Sequence, residues 1–363
     1  MKKLMFIFGT RPEFIKVYPV IVEAKSQGNE CIIVNTGQHL EMLNELLEYF
    51  QITVDYDLKI MKECNGISDI TSNALHGIDK IIKVESPDVV FVHGDTSSTL
   101  AGALGAFNNN VKLAHIEAGL RTYNLQAPFP EEANRQMVSL IADYNFAPTE
   151  TSRYNLLSEG KKIDSIYVVG NTVIDMLRYT IKPSFTHSIL EWEPEKKLIL
   201  MTVHRRENLN ELDELFETIN EIAIKYHNNY KIVYPIHRNP EIRKKANEIL
   251  TSSNVKIVEP LDTVNFHNIM KHTHLILTDS GGIQEEAPSL GIPVLVLRDT
   301  TERPEGVKAG TLRLVGTDKN SIIDAVELIL ENQIEYNKMS EASNPFGNGA
   351  SSKQIIDIIN DEK

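Results

Sequence analysis

Short β-branched apolar runs alternate with longer segments of helical periodicity along almost the whole chain. Most of these runs are apolar on both faces, which is typical of parallel strands that helices cover on each side. The segment "PEFIKVYPVIVEAKSQG" predicts a helix that opens near Pro12 and closes at Gly28. The predicted strands are "KLMFIF", "CIIVNT", "DVVFVHG", "VKLAHIE", "SIYVVG", "KLILMTVH", "KIVYPI", "VKIVEP", "HLILTDS", "PVLVLR" and "TLRLVG". This alternation predicts an α/β fold built on doubly wound parallel sheets.

The 363 residues favour two domains over one. The periodicity is weakest over residues 180–196, and the strand–helix alternation restarts after them. We therefore expect two doubly wound Rossmann-like domains that face a central cleft. We place the first at residues 1–170 and the second at 171–349, with a last helix at about 350–363 that packs back on the first domain.

Composition narrows the class of protein. A formal net charge of −13 argues against a nucleic-acid binder, which needs a basic face. No apolar run is long enough for a membrane span, and "MKKLMFIFGTRPE" lacks the cleavage site of a signal peptide. Two cysteines are too few for a disulfide framework. We expect a cytoplasmic protein without nucleic-acid or membrane partners.

Acidic residues follow the predicted strands of the first domain. Asp95 comes just after "VVFVH", and Glu117 ends "KLAHI". Glu131 lies in the first turn of a helix that Pro130 opens. In doubly wound sheets the carboxyl ends of the strands bind ligands, and carboxylates that are pressed together have their pKa values pushed apart. These three acids are therefore candidates for acid–base catalysis.

Asp95 and Glu131 also have a structural explanation, whereas Glu117 at the end of a buried strand is harder to explain in that way, because an unpaired buried charge is costly. Asp95 would serve equally well as a helix N-cap, and Glu131 would form an ordinary surface ion pair with Arg135 four residues later. His93 and His115, on the same two strands, are more often core histidines than metal ligands, and no metal-ligand spacing appears.

Basic residues follow the strands of the second domain. His204 and Arg205 end "LILMTV", and His237 ends "YPI" before another arginine. Ser280, Gly281 and Gly282 begin a helix whose bare amides suit a phosphate. Glu286 lies about 9 Å further along that helix, where a carboxylate can accept hydrogen bonds from two vicinal hydroxyls. The segment from Ser280 to Glu286 therefore predicts a binding site for a ribonucleoside diphosphate.

The first junction, "FGTRPEFIK", offers Arg11 and Lys16 to a phosphate. It is neither a GxGxxG fingerprint nor a GxxxxGK[ST] loop, so nothing in it supports a dinucleotide cofactor or a P-loop. We expect no cofactor and no metal.

Together the motifs resemble a known family, the non-hydrolysing UDP-N-acetylglucosamine 2-epimerases, over nearly the whole chain. The resemblance rests on "GTRPE.IK", "VHGDT", "H.EAGLRT", "PFPEE.NR", "FAPT", "GNT.ID", "T.HRREN", "SGG.QEEAPSLG.PVLV.RDTTERPE" and "AG...LVG", in that order. It implies the two-domain GT-B fold, with the active site in the cleft, and a homodimer. It also implies interconversion of UDP-N-acetylglucosamine and UDP-N-acetylmannosamine for cell-surface polysaccharides, through elimination of UDP to 2-acetamidoglucal and its re-addition.

The resemblance also assigns roles to residues. It implies acid–base roles for Asp95, Glu117 and Glu131, with His204 assisting. The residues that it implies for binding UDP or the sugar are Arg11, Lys16, Arg135, Arg205, Phe266, Ser280, Gly281, Gly282, Glu286 and Arg303. The sequence does not decide which acid takes the C2 proton.

Bacterial members often bind a second substrate molecule as an activator. Gln38, His39 and His237 match the residues implied for that site, but Leu40 and Glu41 depart from the pattern. Cys64 also stands where many relatives carry an arginine. UDP-N-acetylglucosamine is therefore only a candidate activator.

Four other functions remain open. The chain could be a retaining glycosyltransferase of the same fold, a hydrolysing epimerase, a 2-epimerase for another UDP-linked amino sugar, or a catalytically silent sensor of nucleotide sugars. A transferase or a sensor would not need three strand-end acids, and a hydrolysing enzyme is commonly fused to a kinase domain that this chain cannot hold.

Overall fold

The computed structural model describes residues 1–38, 41–204 and 211–361. The chain folds into two compact units, of which the first is Met1–Met176 with Phe346–Lys363 and the second is Leu177–Pro345. The change of unit therefore falls within a helix, Thr172–Thr180, whereas the sequence placed it just before that helix.

Both units are built on parallel strands. The strands are β1 Lys3–Phe8, β2 Glu30–Asn35, β3 Tyr56–Asp57, β4 Val89–His93, β5 Lys112–Ile116, β6 Tyr144–Ala147, β7 Ile166–Val168, β8 Lys197–Thr202, β9 Tyr230–Pro235, β10 Val255–Val258, β11 Thr273–Thr278, β12 Val294–Val296 and β13 Leu312–Leu314. The first unit has a seven-stranded sheet in the order β3-β2-β1-β4-β5-β6-β7, and the second a six-stranded sheet in the order β10-β9-β8-β11-β12-β13. In each unit the first strand lies inside the sheet, so the direction of winding reverses beside it. This is the topology at which α/β sheets bind ligands.

Helices connect the strands. They are α1 Arg11–Ser26, α2 Glu41–Tyr49, α3 Ile67–Glu85, α4 Ser97–Asn108, α5 Glu131–Ile141, α6 Glu150–Ser158, α7 Thr172–Thr180, α8 Ser188–Glu191, α9 Leu212–Lys225, α10 Pro240–Ile249, α11 Thr263–Lys271, α12 Gly281–Glu286, α13 Pro304–Ala309, α14 Lys319–Glu331, α15 Gln333–Ser340 and α16 Ser351–Asp361. Among the residues that the structure describes, no helix combines the length and apolar character that a membrane crossing requires.

Both faces of the sheets are buried, as the unbroken apolar runs predicted. On β8, Ile199 and Met201 pack into one core cluster with α9, while Leu198 and Leu200 pack into another with Ile269 of α11. Both faces of β8 are therefore covered after its exposed first residue, which is why this strand shows no alternation of polar and apolar residues.

The predicted α/β class with two doubly wound sheets is confirmed. Every strand expected from the sequence is present, and two were missed. Strand β3 has only two residues, and β6 is the short run "YNFA", in which a buried polar residue, Asn145, breaks the apolar pattern. Both lie in the first unit, where neighbouring strands rather than local pattern hold them in the sheet.

Candidate active site

Asp95 stands at the carboxyl end of β4, in front of α4. The N-cap of that helix is Thr96, whose side chain accepts a hydrogen bond from the main chain of Thr99. Capping therefore does not explain Asp95, which was its structural alternative in the sequence. Gly94, with a φ of 67°, turns the chain out of the strand immediately before it.

Glu117 follows β5, the neighbouring strand, and adopts a left-handed backbone conformation with a φ of 63°. This region is unfavourable for a residue with a Cβ, and such strain often accompanies function. Its carboxylate forms an ion pair with Lys16 of α1 and accepts a hydrogen bond of 2.7 Å from Asn171 Nδ2. The Asn171 side chain is itself held, because its Oδ1 accepts from the main chain of Val173 at 3.0 Å. Glu117 is thus fixed from two sides.

The third element at this edge is α5. Its Arg135 places Nη2 2.5 Å from Asp95 Oδ2, and Asn134 donates to the main-chain oxygen of Asp95 at 2.9 Å. Partial burial raises the pKa of Asp95 to about 6; the charges of Glu117 and Glu131 add to this rise, and Arg135 opposes it. The charges of Glu117 and Glu131 thus both act on Asp95. Arg135 pairs with Asp95 and Glu132, so the surface pair expected with Glu131 is not its main contact.

Two buried histidines support this acidic edge. His115 Nε2 donates to the oxygen of Gly94 at 2.7 Å and so fixes the turn before Asp95. His93 Nε2 lies 3.7 Å from Glu117 Oε2. Burial lowers the pKa of His93 to about 4 and that of His115 to about 3, so both rings are neutral near pH 7.

A buried carboxylate, Glu13, joins the first junction to the same edge. It accepts from the main chains of Gly9 and Thr10, and from the hydroxyls of Thr96 and Thr99. A Cβ on Gly9 would lie 2.1 Å from the Thr36 hydroxyl. Crowding therefore requires a glycine there, and Glu13 ties the loop before α1 to the loop that carries Asp95.

In the second unit, His204 and Asp279 meet at the ends of β8 and β11. The fully buried Asp279 accepts from the His204 main chain at 2.9 Å, and its other oxygen lies 3.1 Å from His204 Nδ1. The His204 and His237 rings stack with centroids 5.9 Å apart. Burial, followed by the nearby His204, lowers the pKa of His237. Because Nδ1 of His204 lies beside Asp279, the second ring nitrogen, Nε2, is the one that does not face this carboxylate.

Helix α12 begins at Gly281, directly after its N-cap Ser280, so the helix start expected at Ser280, Gly281 and Gly282 is present. Glu286 Oε2 lies 3.4 Å from His267 Nε2, and Phe266 is the partly buried neighbour of that histidine on α11. Arg303, expected at a phosphate, directs its Nε at the buried Glu285. Its phosphate role stays a prediction, and so does that of Lys16, which pairs with Glu117.

Fewer contacts are described for the remaining predicted site residues. Arg11 begins α1 at the first junction, and Gln38 accepts a hydrogen bond of 3.0 Å from Ser98 on α4. His39 and Arg205 lie outside the described residues, so their assignments stay predictions. No cluster of three or more metal-ligand side chains occurs within residues 1–38, 41–204 and 211–361.

Sequence reasoning missed four supporting residues. Asn171 and Asp279 belong to motifs that were noticed, "GNT.ID" and "TDSGG", and their positions beside Glu117 and His204 give those motifs a use. Glu13 was passed over as a first-turn acid. His267 carried no signal, because a lone histidine on a helix does not show which residue it faces.

Comparisons with known proteins agree with this geometry. The family model described as UDP-N-acetylglucosamine 2-epimerase matches residues 23–360. The Bacillus subtilis UDP-N-acetylglucosamine 2-epimerase is 50% identical, over 99% of this chain and 96% of its own. The S. aureus MnaA structure with UDP has a TM-score of 0.89 and 45% identity, and covers 99% of this chain and 96% of its own. The Neisseria meningitidis UDP-GlcNAc 2-epimerase bound to UDP-GlcNAc has a TM-score of 0.87 and 44% identity, and covers 98% of this chain and 99% of its own. The chain therefore belongs to the UDP-N-acetylglucosamine 2-epimerase family.

Proposed function

We propose that this protein interconverts UDP-N-acetylglucosamine and UDP-N-acetylmannosamine by inversion at C2. The observation that carries the proposal is the group of carboxylates after β4 and β5, in which Asp95 has a pKa of about 6 and Glu117 is held by Lys16 and Asn171. Family membership and the UDP-bound relatives support the choice of substrate.

The proposed chemistry is an elimination followed by an addition. A carboxylate takes the C2 proton, the electron pair of that bond forms the C1–C2 double bond, and the C1–O bond breaks with its electrons going to UDP. Direct deprotonation without loss of UDP is implausible, because no carbonyl on the ring stabilises charge at C2. Protonation of C2 on the opposite face and return of the UDP oxygen to C1 then complete the reaction.

The acidic edge suits this exchange of protons. A group titrating near pH 6 can both take and return a proton near neutral pH. Asp95 has this property, whereas Lys16 and Asn171 stabilise Glu117 as a carboxylate. We therefore propose that Asp95, Glu117 and Glu131 form the acid–base set.

The second unit would hold the departing UDP. We assign the diphosphate to Ser280, Gly281 and Gly282, where main-chain amides approach closely, and the ribose to Glu286. His204, fixed by Asp279, would stabilise the charge that develops on the leaving oxygen.

Heavy water provides the test. We expect incubation with UDP-N-acetylglucosamine in D2O, without nicotinamide or metal, to yield both epimers with deuterium at C2. Free UDP with free sugar would instead indicate hydrolysis, and no conversion or label would indicate a transferase or a sensor. Conversion of another UDP-linked amino sugar at a higher kcat/KM would reassign the substrate.

Two finer points belong to the same proposal. We propose that a second UDP-N-acetylglucosamine activates the enzyme, with Gln38, His39 and His237 as its site; the stacking of His237 on His204 supports such a link. Kinetics with UDP-N-acetylmannosamine alone should then be sigmoidal and become hyperbolic when traces of the gluco sugar are added. We also propose a homodimer, to be measured by sedimentation.

A further inference from the structure

A buried histidine, His267, lies next to Glu286, the carboxylate that we assign to the ribose. His267 lies on α11 with only 3% of its surface exposed, and its Nε2 is 3.4 Å from Glu286 Oε2. Its other nitrogen, Nδ1, is 2.8 Å from the hydroxyl of Thr180, a fully buried residue at the end of α7. Thr180, His267 and Glu286, from three helices, thus form one line of successive polar contacts within the second unit.

We infer that Thr180 and His267 are positioning residues that aim Glu286 at the vicinal hydroxyls of the ribose. They thereby set the preference of the enzyme for ribonucleotides over 2′-deoxyribonucleotides. This inference rests on the proposed function and extends it to the selectivity of the nucleotide site.

Hydrogen-bond chemistry fixes the direction of the line. A carboxylate only accepts hydrogen bonds, so the contact with Glu286 is attractive when His267 Nε2 carries a hydrogen. In the neutral ring Nδ1 is then an acceptor, and the Thr180 hydroxyl donates to it. In the protonated ring Thr180 accepts from Nδ1 and turns its hydrogen toward the oxygen of Leu177, 3.5 Å away. In both states Nε2 presents a hydrogen to Glu286.

The two oxygens of Glu286 consequently have different surroundings. Oε2 faces His267, whereas Oε1 lies 3.7 Å from the place where a Cβ on Gly282 would stand. Oε1 is therefore turned back along α12 toward the glycines that we assign to the diphosphate. A ribose joined to that diphosphate would meet a carboxylate whose orientation is already set, and preorganisation of this kind lowers the entropy lost on binding.

A purely structural role for His267 predicts something different. A buried histidine that only fills space and satisfies Thr180 would affect stability and the binding of every nucleotide equally. A residue that orients Glu286 affects the hydroxyl-dependent part of binding alone, so the ratio of two affinities separates the two roles.

The test compares the binding of UDP and 2′-deoxy-UDP by calorimetry. We expect the wild type to prefer UDP by about ten- to a hundredfold, the value of the one hydrogen bond that the 2′-hydroxyl donates to a charged group. Glu286→Ala should abolish this preference. Thr180→Val and His267→Phe should each lower the preference for UDP about fivefold or more, mainly because UDP binds more weakly. His267→Gln should keep part of it, because its amide can still donate to Glu286.

A matched control is Thr218→Val on α9, which removes an equally buried hydroxyl that donates to the main-chain oxygen of Glu214, one turn earlier. This variant should keep the wild-type preference at a similar loss of melting temperature. In turnover, the Thr180 and His267 variants should raise the KM for UDP-N-acetylglucosamine and leave kcat within about twofold, as expected when a uniform binding contact is lost.

Two results would overturn the inference. If Glu286→Ala removes the preference while Thr180→Val and His267→Phe keep it, Glu286 holds the ribose without this support. If Glu286→Ala also keeps the preference, other residues bind the ribose. Thr180 and His267 then do not position a ribose-binding carboxylate. The heavy-water experiment on the wild type is independent of both results, so a failure here is distinguishable from a failure of the proposed epimerisation.

Discussion

The two units place carboxylates at the same position of the same fold, yet surround them differently. Asp95 and Glu117 are paired with Arg135 and Lys16, yet the charges of Glu117 and Glu131 also act on Asp95, and burial together with these charges raises the pKa of Asp95 to about 6. In the second unit, three carboxylates also lie beside a basic partner on another segment, Asp279 beside His204, Glu285 beside Arg303 and Glu286 beside His267.

This difference shows how one architecture serves two purposes. Carboxylates that compete for ionisation are suited to moving protons, because small changes in their surroundings alter which one is protonated. Carboxylates that are individually paired keep their charge and instead orient a neighbour or a ligand. We therefore assign proton transfer to the first unit and nucleotide binding to the second.

The largest expected effect comes from the acids of the first unit. Asp95→Asn and Glu117→Gln should each lower kcat by about a thousandfold, within the range of general acid–base catalysis, with UDP affinity within about twofold of wild type. Steady-state kinetics and calorimetry on the same samples provide the measurement. The matched controls are Asp164→Asn and Glu150→Gln, which change exposed acids of the same unit and should keep full activity.

If either acid variant kept substantial activity, the acidic edge would not carry the chemistry. If it lost UDP affinity as well, the division of labour between the two units would be wrong.

A smaller effect is expected when Asp279, which contacts His204, is replaced. In Asp279→Asn, the amide can still accept from the His204 main chain, but its NH2 group then opposes the Nδ1–H of the ring. We expect the ring to lose its orientation and kcat to fall about ten- to a hundredfold, with a loss of stability of about 1–3 kcal/mol from the mismatched buried group. Kinetics and thermal unfolding would measure both effects.

Asp262→Asn is the control for that variant, because asparagine caps a helix as well as aspartate does and Asp262 caps α11. A fall in kcat as deep as that of Asp95→Asn would mean that the second unit takes part in proton transfer and would break the comparison.

How far the sequence alone reached differs between the two units. Two acids of the first unit, Asp95 and Glu117, were predictable, since each stands where a strand ends and parallel strands bring those ends together. Their support was not, because Lys16 looked like a phosphate ligand and Asn171 lies 54 residues from Glu117, the residue that it contacts. Contacts of this kind depend on which strands become neighbours in the sheet, and periodicity does not specify that.

In the second unit, the basic residues at the strand ends and the glycines predicted a nucleotide-binding site. The sequence did not show which residue pairs with each carboxylate. Asp279 reads as part of a turn until β8 and β11 are known to be adjacent. The short strand β6 was missed for a related reason: its buried Asn145 donates to the main-chain oxygen of Ser165, twenty residues later, and a local pattern does not reveal that contact.

The smallest expected effect is a shift of the pH profile. If catalysis needs Asp95 ionised, kcat/KM falls as the pH drops below about 6, the pKa of Asp95. The charge of Arg135 holds that pKa down, so Arg135→Gln should move the acidic limb to higher pH. Arg153→Gln, which alters a helix-surface pair on α6, is the control and should leave the limb in place. A limb that stays or moves to lower pH would show that Asp95 is not the titrating group.

The central claim is that the first unit moves the C2 proton while the second holds the nucleotide. The most direct measurement is the release of deuterium from UDP-N-acetylglucosamine labelled at C2, at saturating substrate, by Glu117→Gln and by Glu286→Ala. The account predicts that Glu117→Gln, which should still bind UDP, releases deuterium about a thousandfold more slowly than the wild type, whereas Glu286→Ala releases it at close to the wild-type rate. Release by Glu117→Gln at close to the wild-type rate, or none from saturated Glu286→Ala, would contradict it.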